Sequence, residues 1–305
     1  MTKNELIQDL AKVERLAGAS RWGRLMHHPL RYLNAILFKE VLYPRSKKER
    51  LENARLFWGR RMKVALPSST DIYLTGGKSH DSELRLARFI VLNLPEKGHF
   101  LDIGAHYGYF TLLAAEVAGA EGRVHAFEPA ASSWSLLREN VSGTASVMVF
   151  NEAVSDAPGK LVFYEFPNLY SEYNTMDVEQ FRSEPWFEGF SPRQTEVTAT
   201  TIDALTAATG LKPDLIKIDV EGAEDKVING GAAFLQQYNP YLVMEYLEPQ
   251  RHNDAHKKAA ARLRDWGYRS FIITASGALA PVGDIESYLL QSSLESDNIV
   301  FRKAG

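Results

Sequence analysis

Residues Phe100-Leu101-Asp102-Ile103-Gly104-Ala105-His106-Tyr107-Gly108 decide how the chain folds. An apolar run ends in an acidic residue, a glycine turn follows, and a helical pattern begins. Gly104 permits a tight turn and close approach of a ligand, and the helix start offers unpaired N–H groups. The spacing is Gly-x-x-x-Gly, so it is neither the Gly-x-Gly-x-x-Gly of dinucleotide phosphates nor a phosphate loop with Gly-Lys-Ser/Thr. Asp102 opposes a phosphate by like charge and suits a ligand that carries an ammonium group. The structural alternative is an ordinary strand–helix turn.

Outward from this turn the chain alternates. His99–Ile103 reads as a strand, Tyr107–Ala118 as a helix, Arg123–Phe127 as a strand, Ala131–Val141 as a helix and Ser146–Asn151 as a strand. After an interruption, Leu215–Val220 is a strand, Ala223–Gln237 a helix, Tyr241–Glu245 a strand and His252–Trp266 a helix. Strands near Ser270–Thr274 and Asn298–Arg302 close the pattern. Short apolar strands between helices predict a doubly wound, mainly parallel sheet, an α/β fold. Upstream, residues 1–80 read as a helical extension broken by Pro29 and Pro44. Short strands are expected at Lys63–Leu66 and Asp71–Thr75, and a helix follows through Leu84, Ala87, Val91 and Leu94. The catalytic domain is expected over 81–305.

Two further strand ends carry carboxylates. Val124-His125-Ala126-Phe127-Glu128-Pro129 places Glu128 where nucleotide-binding folds accept ribose hydroxyls. Leu215-Ile216-Lys217-Ile218-Asp219-Val220-Glu221-Gly222-Ala223-Glu224 places Asp219 and Glu221 at another strand end, with Glu245 on the same edge. Each suits a general base, a metal ligand or a hydrogen-bond acceptor. Glu221 and Glu224 also suit the first turn of a helix structurally.

These segments, with Asn151-Glu152-Ala153-Val154-Ser155-Asp156 and Gly159, resemble the FkbM family of S-adenosylmethionine-dependent methyltransferases over roughly Ser82 to Met244. The resemblance implies a class I, Rossmann-like, seven-stranded sheet and O-methylation of sugar or natural-product hydroxyls. It implies that Asp102, Gly104, Ala105 and Gly108 line the methionine end of the cofactor. Glu128 would bind the ribose, Phe127 would lie beside the adenine, and Asn151, Glu152 and Ala153 would reach the adenine edge. Asp219 would border both cofactor and acceptor. Members often have Asn where this chain has His106.

The chemistry is consistent. Methyl transfer needs the acceptor oxygen held in line with the methyl group, so positioning supplies much of the rate. A base need only take up the hydroxyl proton. Asp219 is the first candidate, Glu221 the second and His106 the third. His80 precedes the helix leading to the cofactor strand and could face the same cleft, or lie in solvent as a loop residue. No resident metal is assigned, but a metal-dependent O-methyltransferase is the closest alternative, because Asp219, Glu221 and Glu245 could gather a hard cation. An NAD-dependent oxidoreductase would need a glycine pattern that admits pyrophosphate. A nucleic-acid methyltransferase acting on base amines would carry an Asn/Asp-Pro-Pro-Tyr-like strand end, which Ile218-Asp219-Val220-Glu221 is not.

The insert over 160–202 interrupts the alternation and carries Tyr170, Tyr173, Phe181, Trp186, Phe187 and Phe190. A long segment of this kind is expected to cover the acceptor, or simply to pack on the body. Charge adds a partner question. The chain has 305 residues, 45% hydrophobic and 24% charged, and no cysteine, so disordered, disulfide-framed and zinc-thiolate classes are excluded. Residues 1–63 hold 15 basic against 6 acidic side chains, and the remainder 20 against 32. The basic segment is expected to pack on the acidic body, to pair two subunits in a homodimer, or to approach an anionic lipid-linked acceptor at a membrane surface. The first is favoured, and no nucleic acid is expected. The N-terminus lacks a signal-peptide pattern and no long apolar run occurs, so a cytoplasmic protein is expected.

Overall fold

The computed structural model describes residues 1–176, 178, 181–182, 187–189 and 192–303. Helix α1 (Lys3–Ala17) starts with a capping box in which Thr2 and Glu5 satisfy each other's backbone N–H groups. It turns Leu6, Leu10 and Val13 inward, the i, i+4, i+7 stripe of an amphipathic helix. Helices α2 (Arg21–His27), α3 (Pro29–Leu37) and α4 (Tyr43–Ser46) follow, with a π-helical turn at Phe38–Leu42 before the last. Strands β1 (Arg50–Arg55) and β2 (Arg61–Leu66) form an antiparallel hairpin, and α5 (Thr70–Thr75) and α6 (Asp81–Asn93) lead to the main sheet.

This corrects the sequence reading of the extension. The partner of β2 is Arg50–Arg55, within the stretch that reads as helical, and Asp71–Thr75 lies in α5 rather than in a strand. The sequence Arg50-Leu51-Glu52-Asn53-Ala54-Arg55 buries only Ala54, so its apolar alternation is nearly silent. Helix α5 ends at Gly76 in the left-handed region at φ +81°, where an added Cβ would lie 2.8 Å from the Arg55 carbonyl oxygen.

The alternation beyond residue 98 is observed. It runs β3 (His99–Ile103), α7 (Tyr109–Ala118), β4 (Arg123–Phe127), α8 (Ala131–Asn140), β5 (Val147–Phe150), β6 (Ala153–Val154), β7 (Gly159–Glu165) and β8 (Arg193–Thr200). It continues through α9 (Ile202–Thr209), β9 (Leu215–Ile218), α10 (Glu224–Asn229), α11 (Ala232–Gln237), β10 (Tyr241–Leu247), α12 (Asp254–Asp265), β11 (Tyr268–Ile273), β12 (Leu279–Pro281), α13 (Ile285–Ser292) and β13 (Ser296–Lys303). The expected helix Ala223–Gln237 is two helices. At the break, a Cβ on Gly230 would lie 2.0 Å from the Ser155 carbonyl oxygen, so close backbone packing interrupts the helix.

The main sheet has the order β12-β11-β13-β10-β9-β3-β4-β5. Strands β5, β4, β3, β9 and β10 are parallel, and β13 runs antiparallel between β10 and β11. The eighth strand, beyond the seven expected, is short β12, paired to β11 as a hairpin. Strands β6, β8 and β7 make a small separate sheet. One apolar cluster joins α1, α6 and α7 to the sheet, and a second joins α9 to α13 to it, so both faces are covered. The extension thus contributes Leu6, Leu10 and Val13 to the same core as β3. Strand order reverses at β3, between β4 and β9, and the carboxyl ends there form a crevice. Among the described residues, no helix is long and apolar enough to cross a membrane.

Candidate functional site

A cavity of about 880 Å³ opens over the tips of β3, β4, β9 and β10. The sheet supplies Ile103, Gly104, Phe127, Glu128, Lys217, Asp219 and Glu245, while the loop before α6 adds Lys78, Ser79 and His80. From the insert come Ser171, Glu172 and Tyr173. The size lies within the range of small-molecule sites, roughly 300–1,000 Å³.

Glu128 is buried at the tip of β4. Its Oε2 accepts the His106 N–H at 2.8 Å and its Oε1 the Ala130 N–H at 2.9 Å. Burial pushes its pKa up to about 7, against the pull of those two N–H groups. Each oxygen keeps a free acceptor position, enough for a vicinal diol. Phe127 lines the cavity and stacks on Phe150 at 4.6 Å, and Glu152 and Ala153 line it beside Pro129. Asn151 turns away, its amide donating to the Glu128 and Pro129 carbonyls at 3.0 Å each, so it fixes the exit of β4.

Asp102 occupies a different place from the one expected. Its Oδ2 accepts the Thr111 hydroxyl at 2.6 Å, its Oδ1 lies 3.7 Å from Lys217 Nζ, and the side chain is buried outside the cavity lining. Lys217 intervenes. Its ammonium donates to Asp219 Oδ2 at 3.0 Å and to the Gly104 carbonyl at 3.2 Å. Burial weakens the ammonium, but Asp219 and Asp102 more than offset this and hold it above its ordinary pKa. Burial likewise raises the proton affinity of Asp219, yet the Lys217 charge prevails and keeps Asp219 below the usual carboxylate range. Asp219 is therefore an ionised carboxylate, one-third exposed (34%), facing the cavity.

Gly104, at φ +81°, lines the cavity, and a Cβ there would lie 1.7 Å from the Asp219 carbonyl oxygen. The glycine is thus required for the contact between two strand tips. Gly104→Ala is expected to cost about 2–4 kcal/mol through left-handed strain plus overpacking, and to lower turnover by displacing Asp219. Urea unfolding and initial rates check both. Gly108 and Ala105 lie outside the cavity lining. Gly108, at φ +90°, caps α7, where an added Cβ would meet Leu137 at 2.5 Å.

Glu221 and Glu245 complete the acidic edge. Asp219, Glu221 and Glu245 each offer an oxygen, all within 4.8 Å of one another. Burial, then Glu245 and Asp219, raise Glu221 well above its ordinary range, and burial with Asp219 raises Glu245 to about 8. Protons or a cation must screen such a group. Glu221 sits at φ +52° and His106 at φ +49°, in the left-handed region. That region favours His, like Asn, among non-glycine residues, so His106 suits its backbone. His106 Nε2 lies 3.0 Å from Ser171 Oγ, and burial lowers the ring to about 4, so it is neutral.

The family profile described as the methyltransferase FkbM domain matches residues 102–270. The chain belongs to the FkbM family. No curated protein matches it. An FkbM methyltransferase of Methylobacillus flagellatus is similar at 12% identity, over 74% of this chain and 56% of that one, with a TM-score of 0.40. Precorrin-6y C5,15-methyltransferase of Geobacter metallireducens is similar at 14% identity, over 73% and 88%, with 0.39. An S-adenosylmethionine-dependent O-methyltransferase of Thermotoga maritima is similar at 13% identity, over 83% and 78%, with 0.41.

This FkbM methyltransferase takes its methyl group from S-adenosylmethionine. The residues present fit that group: Glu128 offers acceptors for a ribose diol, and Phe127 and Ala153 an apolar wall for a flat base. Bound there, the cofactor supplies a methyl on a sulfonium, which needs no electrophilic help from protein. Asp102, paired with Lys217 outside the cavity lining, is not placed to meet the cofactor's ammonium.

Several side chains at or near the cavity of the FkbM chain escape sequence reasoning. Lys78 bridges Glu83 and Glu172 at 3.0 Å each, joining the extension, α6 and the insert at the cavity rim. Burial raises Glu83 to about 7 although Lys78 opposes it. Lys217 left a readable signal, a lysine inside an otherwise apolar strand, which burial permits only with partners. The Lys78 trio left none, since Glu172 lies far in sequence from Lys78 and Glu83. His80 lines the cavity, with Nδ1 2.7 Å from Ser82 Oγ. Glu224 is buried against His256 at 3.4 Å, tying α10 to α12. In the insert, Tyr170, Tyr173, Phe181 and Phe187 pack with Phe166, and Tyr173 also lines the cavity. Trp186 and Phe190 lie outside the described residues.

Proposed function

We propose that this FkbM enzyme methylates a hydroxyl oxygen of a saccharide or natural-product acceptor, with Asp219 as the proton acceptor. The supporting observation is an ionised Asp219 held at the cavity wall by Lys217 at 3.0 Å. A hydroxyl donating to Asp219 has its lone pair directed away from the carboxylate, toward the rest of the cavity. The oxygen becomes strongly acidic as it gains the methyl, so a carboxylate of low proton affinity suffices. Lys78, Glu83, His80 and Glu172 give the rim the alternating donors and acceptors that hydroxyl-rich ligands require, and Tyr173 offers a ring face for stacking. In this reading residues 81–305 are the catalytic unit and 160–202 cover the acceptor. Ser171 and Thr175 support this: Ser171 lies against His106 at 3.0 Å and Thr175 donates to the Glu221 carbonyl at 2.5 Å. Donor carrying an isotopically labelled methyl, offered with glycosides, phenols and amines, tests the assignment. Label recovered on nitrogen or carbon alone would overturn it.

S-adenosylhomocysteine is expected to raise the melting temperature by mass action on the native state. Because Glu128 titrates near 7, the gain should grow as pH rises from 6 to 8, when the carboxylate is free to accept from both ribose hydroxyls. Glu128→Gln should flatten that dependence. Absence of any shift at millimolar ligand, with NADH shifting instead, would sink the cofactor assignment.

A cation-assisted reading is favoured by one observation, the convergence of Asp219, Glu221 and Glu245. The ammonium of Lys217, bonded to one of the three, opposes it by repulsion. Turnover is therefore expected to persist in excess chelator. Loss on chelation with recovery on added magnesium would reverse the order of the two readings.

A further inference from the structure

The described residues expose thirteen large apolar side chains, and seven of them fall within residues 22–42: Trp22, Met26, Leu30, Leu33, Leu37, Val41 and Leu42. The concentration is not a packing remnant of the core. Helix α1, just before, turns Leu6, Leu10 and Val13 fully inward. Helix α2 buries no residue and α3 buries only Ala35. Trp22, Met26 and Leu30 are 74%, 76% and 84% exposed. Leu30, Leu33, Leu37 and Val41 follow one another at three- and four-residue steps, so they share a face that looks outward.

The charge of the same segment is one-sided. Residues 21–48 contain Arg21, Arg24, Arg31, Lys39, Arg45, Lys47 and Lys48, with Glu40 as the one acidic residue. Among the described residues, no ion pair engages Arg21, Arg24, Lys39 or Arg45. An exposed apolar stripe preceded by an exposed tryptophan and flanked by cations is the make-up of a segment that lies in a lipid–water interface. The cations meet anionic headgroups while the apolar side chains enter the acyl boundary. The segment is also joined to the active site. Lys39 lines the cavity, and the Tyr43 hydroxyl accepts the Leu169 N–H of the insert at 3.3 Å.

We propose that residues 21–48 dock this enzyme onto an anionic membrane surface, with the cavity mouth beside the headgroup layer. The surface lies on the bilayer without spanning it. The proposal stands apart from the choice of methylated atom, because binding is read without turnover.

Co-sedimentation of the full chain with phosphatidylglycerol–phosphatidylcholine vesicles tests it against vesicles of phosphatidylcholine alone. Binding to the anionic vesicles is expected to be at least about tenfold stronger and to fall with added salt. Leu30→Ser/Leu33→Ser/Leu37→Ser and, separately, Arg21→Glu/Lys48→Glu are each expected to lower it about tenfold or more. Both should keep the parent melting temperature and its rise with S-adenosylhomocysteine, because all five side chains are exposed. Equal binding to neutral vesicles, no binding to anionic ones, or variants that bind like the parent would overturn the proposal. So would a parent dimer that the serine variant converts to monomers without any loss of vesicle binding, since the face would then serve a second copy of the chain.

Discussion

Asp219→Asn is expected to lower turnover by about 10²–10⁴-fold, the usual contribution of a positioned base, while the melting shift with S-adenosylhomocysteine stays nearly unchanged. The amide keeps the shape of the carboxylate but cannot take up a proton. In the proposed reading cofactor recognition rests on the β4 tip, where the His106 and Ala130 N–H groups hold Glu128. Equal turnover in variant and parent would make Asp219 structural and pass the base role to Glu221 or His106. Loss of the melting shift together with turnover would place Asp219 on the cofactor instead.

Lys217→Met should act mainly on stability. It removes the ammonium between Asp102 and Asp219 and leaves Asp102 buried with only the Thr111 hydroxyl. Removing one partner of a buried pair costs about 3–5 kcal/mol, which urea unfolding resolves easily. The pH dependence identifies the cause. Burial already raises the proton affinity of Asp102, with Lys217 opposing it. Without Lys217 the folded state keeps a proton on Asp102 that the unfolded chain releases, so the variant should lose stability as pH rises above the ordinary aspartate range. Adding Asp102→Asn should recover much of the stability but not the turnover, because Asp219 still lacks its ammonium. A Lys217→Met protein as stable as the parent would show that the triad contributes nothing net.

The alternation from residue 98 onward was legible because its strands are buried on both faces and read as largely apolar runs, Leu242–Met244 most plainly. Glu128, Asp219 and Glu221 were legible because each follows such a run. The β1 strand was not, since an edge hairpin with one buried side chain carries almost no periodicity. Asp102 shows a different limit. Its type and place at a strand end are those of a ligand-facing carboxylate. What turns it away from ligand is Lys217, on a strand more than a hundred residues on, paired with β3 in register Asp102↔Lys217. Gly104 was legible as a glycine that must be a glycine, but the reason is the Asp219 carbonyl.

The tips of β3, β4 and β9 belong to one sheet in which moving any strand shifts the register of its neighbours. The insert meets those tips through side chains such as Ser171 and Glu172, projected from a segment with its own small apolar cluster. In the proposed reading a substitution at a strand tip is therefore felt by methyl transfer itself, whereas one in the insert alters mainly what is held against it. Across a lineage, the preferred acceptor can drift while the chemistry is inherited unchanged.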